Sequence, residues 1–462
     1  MKRGQITIFL ALLLSITCSL LLTIIESTQV SAMRMQIESG MDLSMHSVLA
    51  EYNRTLLSRY DLFFIDMSYR ETAADICNTE NHLQDYLEAN LTVDHTQRNQ
   101  TGDWLRFKIK DIRIQDSLLA SDHDGRVFGR QAVHYMKYYA NNQQFTDGKA
   151  IDQKIRHFDE TNLSGSRSQA ENRVSGISMP EQVSGINALR GEDTLSLVSD
   201  GVEISQKGIS LGTLASHRNL CTGIGNAPFS EKVTGNEYER LFDAYIFQKY
   251  SYQTRRYSQN ALEYEIEYII AGKETDYENL NQVAKNLLRV REASDVAYLL
   301  GDEEKISEAE ELALLLTAGI EIPGLTEALT YSLLYAWGYA EAMLDVNRLI
   351  NDGRVPVTKS SEDWRLPLKD LLIFRTYMGE GGGKGLSYQE YLSAYLAKES
   401  MSDKRKRCMD LIEANVRLTE ENPYFCMDGC AEYINARADI SSEYGYEYNI
   451  TRSYGYEIEE RK

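Results

Sequence analysis

The chain reads as an α+β protein. A membrane-spanning N-terminal helix continues into a long stalk helix, early and C-terminal strands form an antiparallel sheet head, and a large helical bundle is inserted between them. Three observations predict this. The run from Ile6 to Ile25 carries no charge. Apolar residues recur at three- and four-residue steps through much of 236–418. The last thirty residues alternate with a period of two.

The apolar run is long enough to cross a bilayer as one helix, at about 1.5 Å per residue against roughly 30 Å of hydrocarbon. Lys2 and Arg3 precede it and Glu26 follows at once. The basic pair predicts a cytoplasmic leader (residues 1–5), a single-pass span (6–25) and an extracellular C-terminal body. Val30-Ser31-Ala32 has the small-x-small form of a signal cleavage site, but lies past Glu26. Beyond the span, Met33, Ile37, Met41, Met45, Val48, Leu49 and Tyr52 keep to one helical face. This predicts a stalk helix over 26–58, roughly 75 Å long if unbroken to Leu57.

The head is expected from residues 59–159 and 420–462. Leu105, Phe107 and Ile109 alternate with basic residues. The phase then slips, because Asp111 stands where an apolar residue is due and Ile112 and Ile114 follow. A bulge near Lys110-Asp111 produces such a slip. Asp124-Gly125 offers a turn before 126–139, a further strand or short helix. At the C-terminus Ile434, Ala436, Ala438, Ile440, Tyr444, Tyr446, Tyr448, Ile450, Tyr454, Tyr456 and Ile458 are all even-numbered. That pattern means strands with one buried face, broken at Ser441-Ser442 and Arg452-Ser453. The stalk helix or the strand from Leu105 is the expected cover.

Residues 160–215, rich in Ser, Gly and Asn, read as a flexible or loosely structured segment, with short strands near 195–198 and 202–204. A helical domain is expected over 216–419. Leu280, Val283, Ala284, Leu287 and Leu288 give one amphipathic stripe. The helix from Leu325 to Ile350 is the most apolar, but Glu327, Glu341 and Asp345 interrupt it, so it reads as a bundle centre and not a second span. Gly353 and Pro356 close it.

A net charge of −20 excludes nucleic-acid binding and docking on anionic lipid, which use basic surface. Thirty tyrosines against twelve phenylalanines favour half-buried faces that keep a polar tip wet. Cys18 lies in the span, leaving Cys77, Cys221, Cys408, Cys426 and Cys430 outside. Cys426 and Cys430 are close enough to bridge across the turn at Gly429, or stand as two buried thiols.

Motifs for chemistry fail in detail. In Gly379-Glu380-Gly381-Gly382-Gly383-Lys384-Gly385 the lysine is followed by Gly where a phosphate loop needs Ser or Thr. Around Asp122-x-Asp124-Gly125, Ala120 and Gln131 stand at the first and last calcium-ligand positions, leaving a polar turn. Glu263 and Glu267, with Asp276, read as a solvated helix face, and Lys404-Arg405-Lys406-Arg407 as a solvated helix start or a contact for a neighbouring acidic patch. No catalytic residue, cofactor or metal ligand is selected.

The leader Lys2-Arg3-Gly4 before an apolar core resembles that of type IV pilin-like proteins. "RGQITIFLALLLSITCSLLLTIIES" is similar in layout to the first segment of TadE/TadG-like proteins of tight-adherence pilus systems. That family's early acidic residue is absent, since Ile8-Phe9-Leu10 stands in its place, whereas Glu26 matches its acidic residue at the outer end of the span. "VLAEYNRTLLSRYDLFFID", "LEYEIEYIIAGKETDYENL", "YAEAMLDVNRLINDGRVPV" and "CMDLIEANVRL" resemble a group of uncharacterised Gram-positive membrane proteins related to that family. The resemblance implies processing between Gly4 and Gln5, a subunit contact at Glu26, and an assembly role in a pilus or secretion apparatus. An anchored surface enzyme acting on wall polymers and a ligand-binding sensor subunit are the alternatives from other classes.

Overall fold

A computed structural model of the chain describes residues 2–91, 107–139, 145–159, 161, 163–173, 180–320, 322–379, 381–418 and 422–456, with the side chains from residue 6 onward. In chain order the elements are α1 (Lys2–Ala50), α2 (Arg54–Tyr60), β1 (Ile65–Asp66), α3 (Ile76–Leu91), β2 (Phe107–Leu119) and α4 (Asp122–Tyr139). There follow α5 (Gly148–Asp159), α6 (Leu163–Arg173), α7 (Glu181–Leu189), α8 (Thr194–Val198), α9 (Gly235–Lys249), α10 (Glu265–Ala271), α11 (Asp276–Gly301), α12 (Glu303–Leu316) and α13 (Leu325–Ile350). The last are β3 (Arg354–Val355), β4 (Leu386–Ser387), α14 (Tyr388–Lys398), α15 (Met401–Arg417), β5 (Cys430–Ser442) and β6 (Glu447–Gly455). The α+β class holds, with a long apolar N-terminal helix, an antiparallel sheet and many helices. The chain divides into two units, Met1–Phe128 with Leu220–Ser230 and Thr419–Lys462, and Gly129–Asn219 with Glu231–Leu418.

In the first unit β5 is the central strand. One edge pairs antiparallel with β2, from Phe107↔Ser442 to Leu119↔Ala431, and the register slips between Ile109 and Asp111, where the broken alternation places a bulge. The other edge pairs with β6, from Ser441↔Glu447 to Tyr433↔Gly455, and then with β1 at Ile65↔Ala431. The even-numbered face of β5, Ile434, Ala436, Ala438 and Ile440, is buried against Ile37, Met41, Met45 and Val48 of α1 and Leu83 and Leu87 of α3. Each such side chain contributes about 1.5–3 kcal/mol on leaving water. Gly40 sits where α1 meets α3: a Cβ there would stand 3.0 Å from Leu91 Cδ2.

The first part of α1 differs from the rest. Every residue from Ile6 to Gln29 is exposed, whereas Met33, Ile37 and Met41 are buried. Among the described residues α1 is the one helix long and apolar enough to cross a membrane, with a mean hydropathy of 2.7 in its most apolar window.

In the second unit α11 and α13 pack together along their length, closely enough that a Cβ on Gly338 would meet Val296 Cγ2 at 2.6 Å. Cap residues set where its helices begin. Thr275 and Ser387 form capping boxes with Glu278 and Glu390, and Asp302 and Ser400 accept from the first turns of α12 and α15. Glu327, Glu341 and Asp345 notwithstanding, α13 is buried along nearly all of its length, as a bundle centre should be.

Several expectations are corrected. The stalk helix ends at Ala50 and not at Leu57, because Asn53 starts a new helix by accepting from Thr55 N and Leu56 N, both at 3.0 Å. From Met33 onward this helix covers the sheet, one of the two covers expected, and so belongs to the head's core and is not a separate segment. The loose segment contains α6, α7 and α8, and residues 195–198 are helical with Asp193 as N-cap, while 202–204 form no regular strand. β6 runs through Arg452-Ser453 without a break. Residues 129–159 belong with the helical unit, and 220–230 with the sheet unit. Leu105, Glu380 and Ile458 lie outside the described residues.

Candidate functional site

The residues picked out for assembly lie on α1. Gly4 and Gln5 fall in the first turns of α1. The Glu26 carboxylate accepts a hydrogen bond from the Tyr446 hydroxyl at 2.6 Å, so the contact it makes here is with the same chain. Tyr446 lies in the turn between β5 and β6, and this bond is the first of a series. Farther along, Arg452 Nε reaches Asp42 Oδ1 at 2.7 Å, the Tyr454 hydroxyl reaches the same oxygen at 3.2 Å, and the Tyr456 hydroxyl donates to the Leu49 carbonyl. From Glu26 to Leu49 a helix rises about 35 Å, and ten strand residues from Tyr446 to Tyr456 span about 33 Å. β6 therefore runs alongside α1 in the same direction.

Cys426 and Cys430 do not form the candidate disulfide. They are two thiols, and that of Cys430 donates to the Cys426 carbonyl at 3.3 Å. The turn of Met427–Gly429 brings Cys430 into β5 with its side chain in the core, pointing its sulfur at a backbone oxygen and not at its neighbour's sulfur.

The other motifs serve structure. Asp122 is nearly buried and accepts from Leu119 N at 2.7 Å and Gly223 N at 3.0 Å, fastening residues 220–226 beside β2. The next three residues, His123, Asp124 and Gly125, adopt left-handed backbone. The glycine run closes over the β3–β4 pair, with Gly382 O accepting from Arg354 N at 2.8 Å and Lys384 in solvent. The basic cluster is not a solvated helix start. Lys404 is buried against Asp243 at 2.6 Å, and Arg407 donates to the Ile269 and Ile270 carbonyls at 2.6 and 3.0 Å, completing the C-terminal end of α10.

Two groups of ionisable side chains are buried in the helical unit. In the first, Arg291 of α11 donates to Asp295 at 2.7 Å and Asp345 of α13 at 3.0 Å, and to the carbonyls of Pro356 and Val357. Lys359 contacts Glu341 and Asp345, and Arg365 stands 3.9 Å from Asp345. Three cations meet three carboxylates at exposures of 0–13%. Burial pushes the Asp295 carboxyl up to about 8 despite its cationic neighbours. Burial acts on Asp345 too, but Lys359 and Arg291 outweigh it and hold that carboxyl below its usual range.

The second group overturns the reading of Glu267 as a solvated helix face. Glu265 and Glu267 are fully buried. Glu265 accepts from Ser251 N and Oγ, both at 2.8 Å, and from Asn415 Nδ2 at 2.6 Å. Glu267 Oε1 accepts from Gln253 N at 2.9 Å and the Tyr388 hydroxyl at 2.7 Å, while its Oε2 has no hydrogen-bond partner. Burial raises the Glu267 carboxyl to about 7. Asp276 accepts from Ser205 Oγ, Glu263 N and Tyr264 N, between 2.6 and 3.0 Å. These carboxylates hold loops to helices. Closed off from solvent, they offer a substrate no approach in this conformation. No cluster of metal-ligating side chains occurs among the described residues.

The sequence flagged Glu341 and Asp345 as interruptions of α13 and Glu267 as a face, without their partners. Arg291, Lys359 and Asp295 gave no signal of their own, because each partner is distant in sequence or hidden on a helix whose period already looked satisfied.

The fold thus defines an α+β protein with one apolar N-terminal helix of membrane-spanning length and a large helical insertion. The chain belongs to a family of unknown function, DUF5702, whose profile matches residues 175–442, more than half of its length. No curated protein and no solved structure matches it.

Proposed function

We propose that this is a single-pass membrane protein with an extracytoplasmic body, acting through protein–protein contacts as a structural or assembly component of a pilus-like or secretion apparatus. The observation that carries the reading is the division of α1. Its first twenty-odd apolar residues pack on nothing in the chain, while its second half is the spine of the sheet head. A helix so divided is suited to sit in a bilayer at one end and to carry a rigid head at the other, and pilin-like subunits resemble this layout. Glu265, Glu267, Asp276, Asp295, Glu341 and Asp345 of the helical unit are buried and bonded within the chain, which suits a structural role for them.

Mass spectrometry of the mature N-terminus, on protein isolated from its native membrane, tests the proposal. A chain beginning at Gln5 is the expected result and marks prepilin-type processing. A chain beginning at Met33 makes the protein secreted and soluble and sinks the anchored reading. An intact Met1 keeps the anchor but removes the pilin-type maturation.

A further inference from the structure

We infer that the turn joining β5 to β6 is a membrane-contacting tip, with Tyr444 seated in the lipid headgroup layer beside the span. The inference rests on the reading that α1 crosses the bilayer and the head lies outside. Its basis is the 2.6 Å bond between Tyr446 and Glu26. Glu26 is the first residue past the uncharged run, so it marks the outer limit of the hydrocarbon. The headgroup region adds about 5–8 Å on each side, equivalent to roughly the next four or five residues of a helix. A group held against Glu26 lies in that layer.

The direction of the strand gives the same answer. β6 climbs along α1 from Tyr446 at Glu26 to Tyr456 at Leu49, so the turn lies at the lower end of the sheet and the start of β5 at its upper end. Tyr444 is 59% exposed at this turn, and Gly445 beside it takes the positive φ of 82° that the turn requires. An aromatic ring with a hydroxyl tip is the side chain that favours the boundary between hydrocarbon and water. The charges nearby do not select anionic lipid, since Glu447 is paired with Lys110 at 2.5 Å and Glu443 adds a negative charge. The partner is therefore the polar–apolar boundary of any phospholipid layer. With two attachments, the span and this tip, the head is held at a set angle and height instead of swinging on one helix.

The test uses the full-length chain reconstituted into phosphatidylcholine vesicles, with and without bromine near the carbonyl end of the acyl chains. Tyr444→Trp is compared with wild type, whose three tryptophans supply a constant background, and with Tyr424→Trp, an exposed site just before the opposite end of β5. The emission added by Tyr444→Trp should be lost in brominated vesicles, and that added by Tyr424→Trp should survive. If the protein floats with the vesicles and the Tyr444→Trp emission is unaffected, the tip does not touch lipid, and a protein partner for Tyr444 becomes the better account. Equal quenching at both positions also overturns the proposal, because the head would then be lying on the surface. Protein that fails to float with vesicles refutes the anchored reading, and the tip proposal with it.

Discussion

Tyrosine is the residue that explains most about this chain. In a protein with 69 acidic side chains, a phenolic hydroxyl gives a carboxylate a partner without adding positive charge. Tyr86 donates to Glu51, Tyr268 to Asp410, Tyr298 to Asp302, Tyr377 to Asp370 and Tyr388 to Glu267, all between 2.6 and 2.8 Å. Phenylalanine would fill the same space and leave the oxygen unpaired, at a cost of about 1–3 kcal/mol where it is buried. Glu267 carries a pH consequence. Its folded-state pKa lies above the unfolded value of 4.5, so the folded chain holds the proton more tightly. Its contribution is full below about pH 4.5 and is lost as the pH rises to about 7, up to roughly 3 kcal/mol at ~1.4 kcal/mol per unit. Glu267→Gln should flatten the unfolding midpoint across that window. A wild-type slope retained in the variant would show that other groups set it. In the ionic centre Asp345→Ala leaves Arg291 and Lys359 short of an anion, and should destabilise the helical unit by about 3–5 kcal/mol in denaturant melts. A loss below about 1 kcal/mol would mean that water compensates the missing charge.

At the scale of elements, long periodic segments were legible. α13 begins and ends where its apolar pattern does, β5 buries its even-numbered face, and the slip at Lys110 appears in the register. These features are local, since a side-chain period is fixed by the backbone that carries it. The short helices α6 to α8 were not legible. Their composition is that of a linker, and a few side chains, among them Val183, Ile186, Leu195 and Leu197, hold them to the bundle. Tertiary burial overrides weak propensity in segments this short. The carboxylate cluster was hidden for a related reason, since Glu265 is completed by Ser251 and by Asn415, 150 residues away. The strand β6 is the element whose removal should be most informative. Deleting residues 446–456 bares one edge of β5 and a flank of α1. Amide exchange should then accelerate in β5 and in the second half of α1 while α11 and α13 keep their protection. Unchanged exchange in β5 would mean that β2 alone sustains it.

For the whole molecule, the division of α1 separates two roles that truncation can pull apart. A chain beginning at Ser27 keeps Met33, Ile37, Met41 and Met45 and should fold into a head that no longer needs detergent. One beginning at Tyr52 lacks all four and should lose the cooperative unfolding of the sheet unit, as followed by near-UV circular dichroism. If the shorter chain melts like the longer one, α1 is dispensable to the head and the core assignment fails. The anchor and its companion strands were visible as separate signals in the sequence. Their union was one of the two covers that the alternating face called for, and a local pattern alone does not choose between the stalk helix and the strand from Leu105.

That union sets a timetable for synthesis. The apolar stripe of α1 leaves the ribosome first, and the strands that cover it arrive about 400 residues later, which at roughly 5–20 residues per second is a wait on the order of 20–80 s. During that interval the helical unit can finish folding, but Met41 and Met45 have only the early elements β1, α3 and β2 for cover. The nascent head is thus a sticky half-domain, and its exposure time lengthens with every residue in the insertion. On the proposed topology, whatever guards it acts on the outer face of the bilayer, before the last strands arrive.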